Sequence, residues 1–478
     1  MMSPIVRSVF GASAAAVLLL AVAGCVDEKK VFVERPFFQQ PAAAAGGFLG
    51  YTDTTQANKT TACGNCHVGH QADWKQTKHA HAWLDLKASD HATASCEACH
   101  TTGQLGNGAT ANAGWTATND PRYVDVQCEA CHGAGLDHVQ APDAGTKPLA
   151  SIAADTGSLG LSGCSGCHSG THNGFAEEWR ASLHGQLDAH AATSTSTTGK
   201  CINCHTGQAW LTRIGVTAHY KEMGNTGANS VAITCAVCHD AHSDANPAQT
   251  RLAVNVADTT KNLCMTCHMR ESEAEPSQTR GPHSPEGPTL LGEAGWFGPN
   301  FTFKPGDLKG THATGDMCVT CHMSKASFAQ DTKGYLNVGH TFQATPCVDA
   351  KGQFVGGSCE DAQRSFKSCT ASGCHGSEAA ARSAYATGEM RINTLVAEAN
   401  RLIALVPKTE FKAPDTILTV GEGAKFNVQI AQSPGAVAHN PFLTEALLTA
   451  SIQALKSTYG LTSTPGIVLT NTLQGHGK

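Results

Sequence analysis

The chain has 478 residues, a net charge of −6, 21 Cys, 24 His, 49 Gly and an aromatic share of only 6%. So small an acidic excess, without a basic run, argues against a nucleic-acid partner. So few aromatics beside so many glycines leave a chain of this length short of apolar side-chain core, so other material has to fill the interior.

Residues 1–24 have the pattern of an export leader. Arg7 supplies the positive start, residues 10–20 a short apolar run, and Val22, Ala23 and Gly24 place small residues before Cys25. The run is too short for a comfortable membrane span. The arrangement resembles the bacterial lipobox, in which Cys25 would be lipidated and become the first mature residue. The alternative is an ordinary signal peptide cut near Ala23. Residues 25–58 mix charge, Pro, Ala and Gly without period and are expected to form a flexible tether.

At Cys63-Gly-Asn-Cys66-His67 a five-residue pattern begins, Cys-x-x-Cys-His. It returns at Cys96/Cys99/His100, Cys128/Cys131/His132, Cys164/Cys167/His168, Cys201/Cys204/His205, Cys235/Cys238/His239, Cys264/Cys267/His268 and Cys318/Cys321/His322. A wider version, Cys369/Cys374/His375, has two more residues between its thiols. This spacing is the attachment signal for c-type haem: two thiols form thioethers with the haem vinyl groups, and the adjacent imidazole becomes the proximal ligand of the iron. Zinc sites would not need a His after every second Cys. A disulfide scaffold would not need tight pairs. The expected cofactor is nine covalently bound haem c, or eight if Cys369 and Cys374 instead join a disulfide region with Cys347 and Cys359. Nine proximal positions leave fifteen of the 24 His for the opposite faces, against only eight Met in the whole chain, which favours bis-His irons of low potential. Attachment of haem c outside the cytoplasm requires export.

Residues 59–142 carry haems one to three. The strings CGNCHVGHQADWKQTKHAHAW, SCEACHTTG and VQCEACHGAGLDH, in that order, resemble the c-554-type multihaem cytochromes and their relatives around hydroxylamine oxidoreductase, over less than a fifth of the chain. The resemblance implies distal ligands at His79, in the Trp-x-x-Ser-x-His element, and at His138, after Cys-His-Gly-x-Gly. Thr77 stands where Ser is usual.

Residues 143–245 carry haems four to six as an internal repeat of that trio. DWKQTKH at 73–79 matches EWRASLH at 178–184, so His184 parallels His79, and His242 in CHDAH parallels His138. Each stretch from Trp to His is expected to be a short helix, with Trp74 and Trp179 packed in the core. Residues 246–345 carry haems seven and eight, with isolated loop histidines His283, His312 and His340. In residues 346–478, Cys347 and Cys359 are a candidate disulfide in an exported protein. Beyond the ninth motif the apolar spacing predicts an amphipathic helix. Residues 411–432 are less periodic. Asn440 and Pro441 then open a terminal helix that Gly460 ends, with His439 at its mouth.

The expected distal ligands are His79, His138, His184, His242, His283, His312, His340 and His439, with a ninth from His70, His91, His172, His190 or His219. The expected fold is mainly α with extensive irregular loops, little β-structure and a core of stacked haems. The expected function is electron conduction in the cell envelope, in a protein lipid-anchored at the outer membrane on its periplasmic or surface side. Its partners would be other envelope redox proteins, with extracellular metal oxides or self-association as further options. Two alternatives stand beside this. An oxidoreductase of small nitrogen or sulfur compounds would need an open iron, yet no Cys-x-x-Cys-Lys motif occurs and the six Tyr lie in no recognisable cross-link context. A conductive filament subunit is the other.

Overall fold

The computed structural model describes residues 45–473, apart from 54, 56–57, 110, 155–162, 171–173, 194–200, 217–219, 224–226, 277–279, 326–337, 372 and 412–415. The leader, Cys25, most of the tether, His172 and His219 therefore lie outside the described residues. Among the described residues regular structure is helical, and β-pairing is confined to isolated bridges such as Thr101–Val124 and Cys347–Arg364.

Up to about residue 345 the helices are short. Those used below are α1 (Val68–Trp74), α2 (Phe175–Ala181) and α3 (Glu286–Leu291). The Cys-x-x-Cys-His motifs are short turns. In five of them the His N–H returns to the carbonyl of the first Cys, at 2.9 Å for His67, 2.9 Å for His168, 3.1 Å for His205, 2.8 Å for His239 and 3.1 Å for His268. This i to i+4 bond places the imidazole one helical turn beyond the first thiol, on the same side of the backbone.

The two Trp-to-His stretches share one local construction, which differs from the single helix expected. The first helix stops at Trp74 and the second two residues past Trp179, and a separate 3-10 turn carries the His: Lys78–His81 for His79, Leu183–Gly185 for His184. The hydroxyl of Thr77 donates to the Trp74 carbonyl at 2.8 Å, and Ser182 does the same to Trp179 at 2.7 Å. Capturing that carbonyl locally ends the helix. The Trp74 and Trp179 indoles are buried and donate to the carbonyls of Val126 and Ile233. Thr replaces Ser at position 77 without loss of this bond.

The tether is shorter than residues 25–58. Phe48, Leu49 and Tyr51 are fully buried, and the Glu129 carboxylate accepts the backbone N–H groups of Leu49, Gly50 and Gly135. Apolar side chains in an aperiodic stretch found partners contributed by residues far along the chain.

Over residues 45–345 the buried side chains form small separate clusters. Examples are Tyr51, Trp74, Trp83 and Val124, and Ile152, Trp210, Leu211 and Val237. The largest continuous core lies instead at the C-terminus, between α4 (Glu378–Ile403), α5 (Val420–Ala431) and α6 (Pro441–Tyr459). There Ile392, Leu395, Ala399 and Leu402 pack against Ala424, Val428, Leu448, Ile452 and Leu455. Helix α5 falls in the stretch that lacks clear periodicity. Its start is marked by a capping box: Thr419 Oγ1 accepts the Glu422 N–H, and the Glu422 carboxylate accepts the Thr419 N–H. A Cβ at Gly423 would stand 2.1 Å from the Trp296 ring, so only glycine lets α5 approach that indole. Helix α6 is capped by Asn440, whose side chain accepts the Leu443 N–H at 3.0 Å, and ends at Gly460 with φ 63°. Cys347 and Cys359 form a disulfide.

Candidate functional site: paired imidazoles along the chain

The motif histidines meet other imidazoles at a recurring distance. Ring centroids are 6.4 Å apart for His67–His138, 6.1 Å for His132–His242, 6.1 Å for His168–His79 and 6.1 Å for His205–His283. They are 6.3 Å apart for His239–His340, 6.2 Å for His268–His184, 6.0 Å for His322–His439 and 6.3 Å for His375–His312. A metal–imidazole nitrogen bond is about 2 Å and the ring centre lies roughly 1 Å further, so one iron between two rings separates their centres by about 6 Å. The gaps therefore fit one metal atom each. Among the described residues no group of three or more His, Cys, Asp or Glu converges as a metal site. A porphyrin held between the two rings would supply the remaining donors. The motif cysteines, His375's Cys369 and Cys374 included, take part in no disulfide.

The chemistry of the rings agrees with ligation through Nε2. Carbonyl oxygens only accept, so an Nδ1 bonded to one must carry the proton, leaving Nε2 with its lone pair. His132 bonds Pro148 O at 2.7 Å, His239 bonds Ala248 O at 2.7 Å, His322 bonds Phe342 O at 2.9 Å and His312 bonds Ala438 O at 2.7 Å. Burial, reinforced by neighbouring imidazoles, pushes His79, His184 and His439 down to about 4. Burial also pushes His340 down to about 4. These rings are held neutral, the form that binds a metal. His268 differs. Burial depresses it, but its bond to the Glu286 carboxylate and that group's charge outweigh burial and raise it.

Second-layer groups place the distal rings. Glu178, on α2, accepts the N–H groups of Val338 and His340 at 2.8 and 2.6 Å, so the second repeat holds the loop that brings His340 to His239. Asp125 accepts the Trp83 N–H at 2.9 Å, the Tyr51 hydroxyl at 3.1 Å and the Lys59 ammonium at 3.1 Å, tying together the backbone around the first motifs. Sequence reasoning singled out neither carboxylate. Only the position of Glu178 beside the repeated Trp179 offered a signal.

The pairing differs from the parallel drawn between the two trios. His138 returns to His67 within its own trio, whereas His242 reaches back to His132 rather than to its trio's first motif at His168. His168 is already served by His79. Each 3-10 turn after a Trp reaches forward to the first motif of the next group: His79 to His168, His184 to His268.

Among the described residues His100 has no such partner. Its Nδ1 bonds Ala82 O at 2.9 Å, but no imidazole makes a ring contact with it among the described residues. Of the candidates for a ninth distal place, His70 lies 4.9 Å from His242 and 6.5 Å from His67, and His91 and His190 are exposed.

The motif thiols also meet across motifs in a repeating order. Cys63 contacts Cys128, Cys164 contacts Cys235 and Cys264 contacts Cys318, always first thiol to first thiol. Second thiols contact second thiols at Cys99–Cys167 and Cys204–Cys267. Cys131 neighbours Cys164, Cys238 neighbours Cys264 and Cys321 neighbours Cys369. Numbering the motifs in chain order, these contacts trace the line 1–3–4–6–7–8–9, with 2 beside 4 and 5 beside 7.

Comparison with known proteins agrees with this chemistry. The Cytochrome c554 and c-prime family profile matches residues 62–133, and the doubled CXXCH motif profile matches residues 229–273. No curated protein matches the chain in sequence. In structure the chain is similar to the undecaheme cytochrome from the S-layer of Carboxydothermus ferrireducens, with a TM-score of 0.53 and 20% identity over 89% of this chain and 71% of that one.

Proposed function

We propose that this chain, a multihaem c-type cytochrome, conducts electrons along nine covalently bound haems ordered 1–3–4–6–7–8–9, with haems 2 and 5 as side branches. The observation that carries the proposal is the set of imidazole pairs 6.0–6.4 Å apart. When bound, haem supplies one-electron chemistry; the chain supplies axial ligands, burial and order. Two imidazoles on one iron would leave no position open to a substrate. On His132, His239, His322 and His312 the proton stays on Nδ1, bound to a backbone carbonyl.

The remaining parts of the proposal concern place and partners. Lipidation of Cys25 anchors the protein at the outer membrane, and other envelope redox proteins, metal oxides or further copies of the chain exchange electrons with it. The S-layer origin of the structural neighbour supports a position outside the cytoplasm. Among the described residues no helix is long and apolar enough to cross a membrane.

A second reading turns on His100, for which no imidazole partner lies among the described residues. An iron there without a second imidazole would bind a small ligand, which is what an oxidoreductase requires. Electron paramagnetic resonance of the oxidised protein, with carbon monoxide binding to the reduced one, tests both. Low-spin signals for all irons and no carbon monoxide uptake support conduction alone. One high-spin iron that binds one carbon monoxide supports an added ligand-binding site at His100. High-spin signals from several irons refute the pairing.

A further inference from the structure

We propose that Glu286 is a positioning residue that lowers the reduction potential of the haem held by Cys264, Cys267 and His268 relative to its neighbours. The inference rests on the assignment of the paired imidazoles as haem-iron ligands.

The Nδ1 of His268 lies 3.2 Å from Glu286 Oε2. The other motif histidines with an Nδ1 hydrogen bond, His100, His132, His239 and His322, donate to backbone carbonyls. The difference is chemical. A carboxylate draws the N–H proton more strongly than a neutral carbonyl, gives the ring imidazolate character and makes it a more basic ligand. Stronger donation and a nearby negative charge both favour the ferric over the ferrous state.

Two other carboxylates approach candidate ligands, and neither is equivalent. Asp240 lies 3.1 Å from His242 Nδ1, but Arg251 stands 3.2 Å from its other oxygen and balances its charge. Asp188 is 3.7 Å from His205 Nδ1, beyond hydrogen-bond range. Among the described residues Glu286 has no Lys or Arg at ion-pair distance; its ion-pair partner is His268.

The position gives this tuning a consequence. Cys264 contacts Cys318, Cys267 contacts Cys204 and Cys264 neighbours Cys238, so this haem has three neighbours. It joins the main line to a side branch. A haem of lowered potential here is reduced late and holds an electron briefly. It separates the haems before it from those after it and regulates exchange with the branch at Cys201 and Cys204.

The test uses the full-length holoprotein and Glu286→Gln, which keeps the side-chain size and an acceptor oxygen while removing the charge. In an optical redox titration, one of the nine components should move to higher potential while the rest stay in place. The low-spin electron paramagnetic resonance envelope should change in one component, with haem content and spin state unaltered. Glu286→Asp, which keeps the charge, should retain the low component. A Glu286→Gln titration superimposable on wild type overturns the inference, as does an equal displacement of every component, which would report only a change in overall charge. Loss of low-spin character in Glu286→Gln also overturns it, because Glu286 would then hold the ring rather than tune it. Mass spectrometry of wild-type peptides separates the levels: a peptide 264–268 without haem overturns the underlying assignment itself.

Discussion

Replacing His439 by Ala should open one iron in nine. His439 stands 6.0 Å from His322 across the gap, at the end of the turn Ala436–His439. Its ring is buried and its Nδ1 has no hydrogen-bond partner, which in a protein interior costs about 1–3 kcal/mol. A bond from Nε2 to iron would offset that cost. Among the described residues no other imidazole is placed to substitute: His268 and His312, the next rings toward it, already face His184 and His375. The segment itself should survive the change. Asn440 caps α6 and its amide donates to the carbonyls of Thr289 and Leu308 at 3.0 and 2.7 Å, so the backbone at 439 stays anchored. Haem attachment depends on Cys318, Cys321 and His322 and should be unaltered. The expected result is therefore one additional high-spin iron per chain, one additional equivalent of carbon monoxide bound by the reduced protein, and recovery of the low-spin spectrum on adding imidazole. A His439→Ala protein that remains entirely as low-spin as wild type refutes the assignment. A loss of two or more low-spin irons refutes the claim that the pairs are locally independent.

Three other expectations follow from separate parts of the molecule. A pyridine haemochrome assay with intact-mass measurement should give nine haems per chain, and eight after Cys369→Ala with Cys374→Ala; eight in the wild type would show that the widened motif carries none. Cys25→Ser should move the protein from the membrane fraction to the soluble one, and failure of labelled palmitate to enter the wild type would count against the anchor. The Glu398 carboxylate, held down to about 2 by Arg401 first and by Thr464, is depressed in the folded state, so its contribution is present above the ordinary glutamate pKa of 4.5 and disappears as pH falls toward about 2. Glu398→Gln should therefore speed amide exchange at Thr464, whose N–H the carboxylate accepts at 3.0 Å, at neutral pH, with the difference from wild type closing below pH 4.5. An unchanged difference at pH 3 would contradict that linkage.

The Cys-x-x-Cys-His units are legible in the sequence because their chemistry is contiguous. Two thiols and a ring that serve one porphyrin must sit within one or two turns of backbone, so the motif is complete in five to seven residues. The terminal helices were legible for the same reason: Asn440, Pro441 and Gly460 act on their immediate neighbours. Helix α5 shows where local signals were present but unread, since Thr419 and Glu422 form a capping box in a stretch whose apolar spacing is blurred by Gly421 and Gly423. The distal side is of another kind. That His79, His138 and His439 were candidates followed from motif context. That His79 faces His168, His242 faces His132 and His439 faces His322 was decided by packing, because those partners come from segments far apart in the chain. The same holds for Phe48, Leu49 and Tyr51, buried against Glu129 and Arg122 despite a tether-like composition. It holds for Glu286, an unremarkable acid in a Pro/Gly-rich loop until folding sets it against His268. A covalent or hydrogen-bonded constraint between near neighbours is written in residue order. A ligand that must cross from one segment to an iron carried by another is specified only by the tertiary contacts that hold both segments in place.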